Sequence, residues 1–374
     1  MKSIKKLFCA ALACAVAVSM FAGCHKKDEI GVTVTDSKIT SDAGKAEFTS
    51  AYYSCALIMS FNSAKSEVYQ KYQSDADKLS SGIDYFKETV DGKKFSDYVI
   101  DLTEESLKKI AAYKIKCAEN KITLTDEEKS AAEQYAESYW NNEQYKYSDY
   151  FEPNGVSLDT YKAYMTDTYY ASRYFDFLYA EGGEKAIDDA TITDTMQKNY
   201  MICDILDVSF DNLTDEEKAA KKTFVNQALS DINSGKKKYA QVFAEYNSTD
   251  EVAKENTTDS SAPRDSLADI IGTSDTNYNT YADYFEQLSG VAAGKATLIE
   301  KENDGGLLLF VKGDIMADPY YKTYLDSEIR SLVSGDQFTK DMEAYAKKLK
   351  ISVKKSTARQ FTPKKITEPD SSAS

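Results

Sequence analysis

The stretch Tyr200 to Phe210 (Y-M-I-C-D-I-L-D-V-S-F) constrains the fold of this chain more than any other, because it breaks a long run of helix-type periodicity with a strand. Apolar residues occupy both alternating faces, Met201, Cys203 and Ile205 on one and Ile202, Leu206, Val208 and Phe210 on the other. That pattern belongs to a strand covered on both sides. Asp204 and Asp207 interrupt it. A second strand of the same kind, G-L-L-L-F-V-K, lies at Gly306 to Lys312, and helical periodicity returns after Met316. The chain therefore reads as α+β, a mainly helical body built from both ends with a small α/β unit inserted.

At the N-terminus, Lys2, Lys5 and Lys6 precede an apolar run from Leu7 to Ala22, shorter than the ~20 residues that span a bilayer. This is the form of a secretory signal. It ends Phe21-Ala22-Gly23-Cys24, which resembles a bacterial lipobox with Phe in place of the usual Leu, so Cys24 is the expected lipidation site and mature N-terminus. At ~0.8 kcal/mol per buried methylene, two or three acyl chains hold firmly where one does not. The expected location is extracytoplasmic, anchored by that lipid to the bacterial cell membrane.

The full chain of 374 residues carries 46 basic and 61 acidic side chains, a formal charge of −15. Removing residues 1–23 takes three lysines and no acids, which leaves −18. Such a surface repels phosphate backbones, so nucleic acid is not an expected partner. The only histidine is His25, beside Cys24, so the folded body has none. Ser-His-Asp and Cys-His chemistry and histidine-ligated metals are excluded there, and neither cofactor nor metal is expected. A carboxylate-only enzyme would need an acid pair of recognisable spacing, and none stands out. Beyond the signal and Cys24 the cysteines are Cys55, Cys117 and Cys203, each in apolar context; either three buried thiols or one disulfide with one free thiol fits. No C-x-x-C occurs.

Val32 to Thr40 alternates as a short strand ending in a turn. Phe48, Tyr52, Cys55 and Met59 form one helical stripe; Tyr69, Tyr72, Leu79 and Ile83 suggest a second helix, broken at Asp91-Gly92. A third runs from near Phe95 through Leu107 and Ile110 to Cys117. Thr125-Asp126-Glu127-Glu128 is a capping box opening a helix to about Trp140, and Ser157 caps the next, with Leu158, Tyr161, Met165, Phe175 and Leu178 inward. Between Tyr135 and Tyr179 aromatic residues exceed what one helical stripe can bury. Trp140, Tyr145, Tyr147 and Tyr150 are the candidates for loose contact with unfolded chains, core packing being the alternative. Near the other end, Leu325, Ile329 and Leu332 form one stripe and Phe338, Met342, Tyr345 and Leu349 another. Ile351 to Lys354 is a candidate partner strand for Val32 to Val34. Ser356 to Ser374, with Pro363, Pro369 and terminal serines, reads as disordered.

N-K-I-T-L-T-D-E-E at Asn120 to Glu128, N-G-V-S-L-D-T-Y-K at Asn154 to Lys162, the lead-in T-I-T-D-T-M-Q-K-N-Y at Thr191 to Tyr200, and the strand Met201 to Val208 together resemble the PrsA/SurA family of extracytoplasmic foldases. The likeness continues through the capping box Thr214-Asp215-Glu216-Glu217, the stripe Phe224, Ala228, Ile232, the segment Gly235 to Tyr246, and Tyr284 or Phe285 followed by Val291 to Gly294. It closes on the Gly306 to Val311 strand. The resemblance implies a helical chaperone domain formed from both ends (41–195 plus 316–355) around an inserted parvulin-like domain (196–315), preceded by a signal (1–23), a tether with a short strand (24–40), and followed by the tail (356–374).

By that resemblance the two facing histidines of parvulins would fall at Asp204 and Leu308, in a pocket shared with Tyr284 and Phe285. Leu308 cannot hydrogen-bond. Imide rotation has a barrier of ~18–20 kcal/mol and is favoured by an apolar seat with polar groups at the twisted bond. The expected function is a membrane-anchored chaperone that binds unfolded or nascent secreted polypeptides, with the parvulin-like unit catalytically inactive; Asp204 is then a structural carboxylate. An active peptidyl-prolyl isomerase and a solute-binding lipoprotein are the alternatives, and a homodimer is compatible with the sequence.

Overall fold

A computed structural model describes residues 29–142, 146–247 and 268–369. Cys24, His25 and Tyr145 lie outside the described residues, as do residues 248–267. The chain divides into two compact units, residues 1–175 with 340–374, and residues 176–339. The expected boundaries were 195/196 and 315/316.

In the first unit, β1 (Ile30–Thr35) is the middle strand of a three-stranded antiparallel sheet, flanked by β2 (Lys45–Thr49) and β9 (Lys350–Val353). Val32 opposes Val353 and Val34 opposes Ile351, the expected joining of the two ends of the chain. Phe48 belongs to β2 rather than to a helix. Ala46 and Phe48 point inward from that strand, and α1 (Ser50–Lys71) begins only after Thr49, whose hydroxyl accepts from the Tyr52 N–H. Helix α1 is buried on all sides over its first turns, so its apolar residues outrun a single stripe. It continues through Tyr69, which is exposed, and the short α2 (Ala76–Ser81) buries nothing, so the expected Tyr69 to Ile83 helix does not form. At Asp91-Gly92 the chain turns between β3 (Thr89–Val90) and β4 (Lys93–Lys94) with φ of 49° and 75°, the left-handed pair that an Asp-Gly hairpin turn requires.

Helix α3 (Phe95–Glu119) packs Phe95, Val99, Leu107, Ile110, Ile115 and Cys117 inward. Thr125 and Glu128 form the expected reciprocal cap of α4 (Asp126–Trp140), and α5 (Tyr147–Phe151) precedes α6 (Leu158–Tyr179), whose Thr160 N–H is held by Ser157. Lys114 donates to both oxygens of the buried Asp167 at 2.7 Å, and the Tyr52 hydroxyl donates to the same carboxylate at 3.1 Å.

The C-terminal segment is not loose through residue 369. Helix α12 (Lys355–Gln360) buries Thr357, whose hydroxyl pairs with that of Ser50 at 2.8 Å. Asn154 holds the residues beyond it: its amide N–H groups donate to the Tyr150 and Thr367 carbonyls at 2.7 and 2.8 Å, and its Oδ1 accepts from the Thr367 N–H at 2.8 Å. Proline and serine content suggested disorder, but long-range side-chain clamps that composition does not register hold the segment. Replacing Asn154 with Ala removes three of these bonds and is expected to destabilise this unit by about 2 kcal/mol. The single tryptophan, Trp140, lies in this unit, so its fluorescence during denaturation reads the loss.

The second unit is built on a four-stranded sheet of order β6-β5-β8-β7, with β5 Tyr200–Ser209, β6 Asp269–Gly272, β7 Ala296–Glu300 and β8 Gly306–Lys312. Every pairing is antiparallel. Both faces of β5 are covered, as its sequence requires. One face packs Leu206, Val208, Leu307 and Leu309 under α8 (Asp215–Asn233, with the expected Thr214–Glu217 box) and α9 (Tyr239–Asn247). Near its start that face instead packs Tyr200 and Ile202 against Ile192 and Met196 of α7 (Asp189–Asn199) and Tyr321, Leu325 and Ile329 of α11 (Pro319–Ala346). That shared core is why the unit extends outward past residues 196 and 315. The opposite face carries Met201, Cys203, Ile271, Ile299, Leu308 and Phe310 under α10 (Phe285–Ser289).

Candidate functional site

The register of β5 on β8 decides what the expected pocket contains. Asp204 opposes Val311, while Leu308 opposes Asp207. Since side chains alternate across a strand, Asp204 lies on the α8 face with Leu206 and Val208, and Leu308 lies on the other face with Cys203 and Phe310. The two positions that the family likeness placed opposite one another are therefore on opposite sides of the sheet. A one-residue difference in register exchanges the faces, and only the partner strand reveals it. Asp204 is buried on its face and takes no part in the apolar surface around Leu308.

That surface is aromatic. Tyr281 meets Phe310 edge-on at 5.6 Å between ring centroids, and Tyr284 lies 6.1 Å from Phe310. Phe285 joins them, and all three remain partly exposed. The result is a shelf of half-covered rings over a floor of Leu308, Phe310, Ile299 and Cys203. Three of the four expected pocket residues, Tyr284, Phe285 and Leu308, meet here; Asp204 does not. At the edge, Asp207 forms an ion pair with Lys301. Burial, and after it the Asp207 charge, pushes the Tyr281 hydroxyl above its ordinary range. Lys301 and Tyr281 carry no sequence signal, and Asp207 shows in the sequence only as an interruption of the strand pattern. The alternation Cys203, Ile205, Asp207 already placed Asp207 with the apolar face, a signal overshadowed by the likeness centred on Asp204.

The chemistry open to this shelf is narrow. The Cys203 thiol is pushed up to about 12 by burial, as is Cys117, and Cys55 is driven up as well, so none supplies a thiolate near neutral pH. All three cysteines are free and buried. Among the described residues no group of three or more His, Cys, Asp or Glu side chains could hold a metal ion. What remains is an apolar, ring-edged surface with one carboxylate paired to a lysine, suited to receiving apolar side chains.

Two of the four aromatic candidates of the first unit, Trp140 and Tyr150, are core. Trp140 packs at a tilt against Phe151 and Tyr161, 6.0 and 5.7 Å between ring centroids, and Tyr150 is buried with its hydroxyl donating to Asn62 at 2.9 Å. Tyr147 bridges Phe151 and Tyr139, and Tyr139 leads out to Tyr135, which is exposed. Tyr135 is exposed and Tyr139 and the expected Tyr147 are half-buried, so these rings, rather than Trp140 or Tyr150, present surface to water.

No protein-family profile matches this chain, and no curated protein sequence does. Among solved structures, the crystal structure of PrsA from Bacillus subtilis is similar over 86% of this chain and 90% of that one, at 12% identity and a TM-score of 0.25. A likeness that distant leaves function to be argued from the site. Among the described residues no helix is long and apolar enough to cross a membrane.

Proposed function

We propose that the chain binds unfolded polypeptides as a chaperone-type protein, anchored at the outer membrane face through a lipid on Cys24, and that its sheet-bearing unit does not catalyse prolyl isomerisation. The observation that carries this reading is the shelf of Tyr281, Tyr284 and Phe285 above Leu308 and Phe310. Half-covered rings offer rigid, low-entropy apolar contact to varied side chains without demanding one sequence. The polar groups near them are engaged elsewhere or turned away: Asp207 is held by Lys301, Asp204 faces the other side of the sheet, and Leu308 is apolar. The anchor rests on Phe21-Ala22-Gly23-Cys24 alone.

The test pairs two measurements on the full chain. Light scattering from a chemically denatured client protein is expected to fall when equimolar chain is present, and to recover with the double substitution Tyr284→Ala/Phe285→Ala. The proline-limited slow phase of a separate refolding protein is expected to keep its rate at catalytic amounts of the chain. Acceleration of that phase would establish an active isomerase instead. Unchanged scattering, together with strong thermal stabilisation by one small solute, would favour a solute-binding lipoprotein.

A further inference from the structure

A second surface of the sheet-bearing unit, on the side of α11, has a different chemistry. A cleft of about 900 Å³ lies between the loop after β6 and α11. Its walls carry the rings of Tyr278 and Tyr324, 6.4 Å apart, and Tyr320 stacks on Tyr324 at 5.4 Å and 18°. Tyr320 and Tyr324 are 42% and 53% exposed. The charged groups lining the cleft are Asp275, Glu328 and Asp336, with no lysine or arginine. None of the three has an ion pair among the described residues.

Glu328 is positioned rather than free to swing. The backbone N–H of Asn277 donates to its Oε1 at 2.8 Å. Beneath it lies Tyr200, 2% exposed, its ring set edge-on to Tyr278 at 6.3 Å. The Tyr200 hydroxyl is buried beside Glu328 without a well-formed hydrogen bond to it. It nevertheless sits close enough to Glu328 that the carboxylate, after burial, drives its ionisation upward. An unsatisfied buried hydroxyl costs stability that a protein seldom leaves uncompensated. Here it faces the one carboxylate of the cleft that is fixed in place.

We infer that this cleft receives a lysine or arginine side chain of an extended basic polypeptide segment, its cation lying on the faces of Tyr278 and Tyr324 and closing on Glu328. Tyrosine faces attract cations through the ring quadrupole, and a positioned carboxylate supplies the charge-assisted hydrogen bond. The wider surface, at a formal charge of −15, draws such a segment in over several ångströms. A bare divalent metal fits worse, because the carboxylates are not gathered closely enough to ligate one. This site is separate from the aromatic shelf, and the inference stands or falls without the chaperone reading.

Fluorescence polarisation of labelled pentalysine with the full chain tests it, with labelled pentaglutamine as the uncharged probe. Saturable binding of pentalysine alone is expected, weakened about tenfold by Glu328→Gln and by Tyr324→Leu, and preserved in Tyr324→Phe, which keeps the ring. The amide introduced by Glu328→Gln keeps an oxygen for the Asn277 N–H, so loss of binding in that variant is not loss of fold. Asp215→Asn/Glu216→Gln removes exposed charge elsewhere on the same unit and is expected to leave binding unchanged. If affinity follows net charge equally in all these variants, if pentalysine does not bind, or if calcium chloride alone binds with the same variant dependence, the inference is overturned.

Discussion

Lys114→Met is expected to cost the first unit about 3 kcal/mol at neutral pH, the lower part of the range for stripping the partner from a buried charge. Asp167 is 9% exposed and relies on Lys114 for two of its three hydrogen bonds, while the lysine side chain keeps 29% of its own surface in water. Burial already lifts the Asp167 carboxyl above the ordinary carboxylate range, against the pull of Lys114 and Tyr52. Removing the lysine lifts it further. A carboxyl whose pKa is raised by folding weakens the fold while it is ionised, above that pKa, and the weakening fades as the pH falls through it. The deficit of the variant relative to the parent should therefore be largest near neutrality and shrink on acidification. Asp167→Asn keeps an acceptor for the Tyr52 hydroxyl without the charge, so adding Lys114→Met to it should change little. Denaturation followed by Trp140 fluorescence measures all four proteins; a pH-independent deficit, or one undiminished when Lys114→Met is combined with Asp167→Asn, would remove charge burial as its cause.

Gly306→Ala should be at least as damaging to the second unit, at about 3 kcal/mol or more. Gly306 opens β8 at φ 138°, and a Cβ there would lie 2.1 Å from the Val208 carbonyl oxygen and 3.1 Å from the Ser209 Cα. These are backbone atoms of the paired strand, so no side chain can turn aside. Gly235, which follows α8 at φ 76° with open space around it, provides the comparison. Gly235→Ala carries the left-handed strain without the collision and should cost about 1 kcal/mol. Hydrogen exchange at β5 and β8 amides separates the two: faster exchange along both strands in Gly306→Ala, near-parental protection in Gly235→Ala. Equal protection in the two variants would show that the strand pair yields to the extra atom.

The elements that local chemistry specifies were readable from the sequence. The two capping boxes name their own helix starts, the alternation of β5 names a strand covered on both faces, and Val32 to Val34 found its partner in Ile351 to Lys354. What escaped depends on atoms distant in sequence. Phe48 fits a helical stripe by spacing, yet it closes β2 because β1 lies beside it. Thr357 and Thr367 sit in a proline- and serine-bearing tail, yet Ser50 and Asn154 hold them. At the candidate site Tyr284, Phe285 and Leu308 were legible as a group, whereas the face of Asp204 was not, since it follows from the pairing register. Tyr320, Tyr324 and Glu328 recur every four residues on α11, a polar stripe beside the apolar one at Leu325, Ile329 and Leu332. The apolar stripe alone drew notice because only it signals a core.

The place of β1 between β2 and β9 has a mechanical consequence. Any tension entering the chain ahead of residue 29 runs along β1, with antiparallel ladders on both of its edges. A load between residue 29 and the segment entering β9 shears the β1–β9 ladder, because those two strands begin at opposite ends, whereas a load between residue 29 and α1 opens the β1–β2 hairpin one rung at a time from the Ile30–Thr49 pair. The first sheet therefore resists pulling along one path through the chain more than along the other.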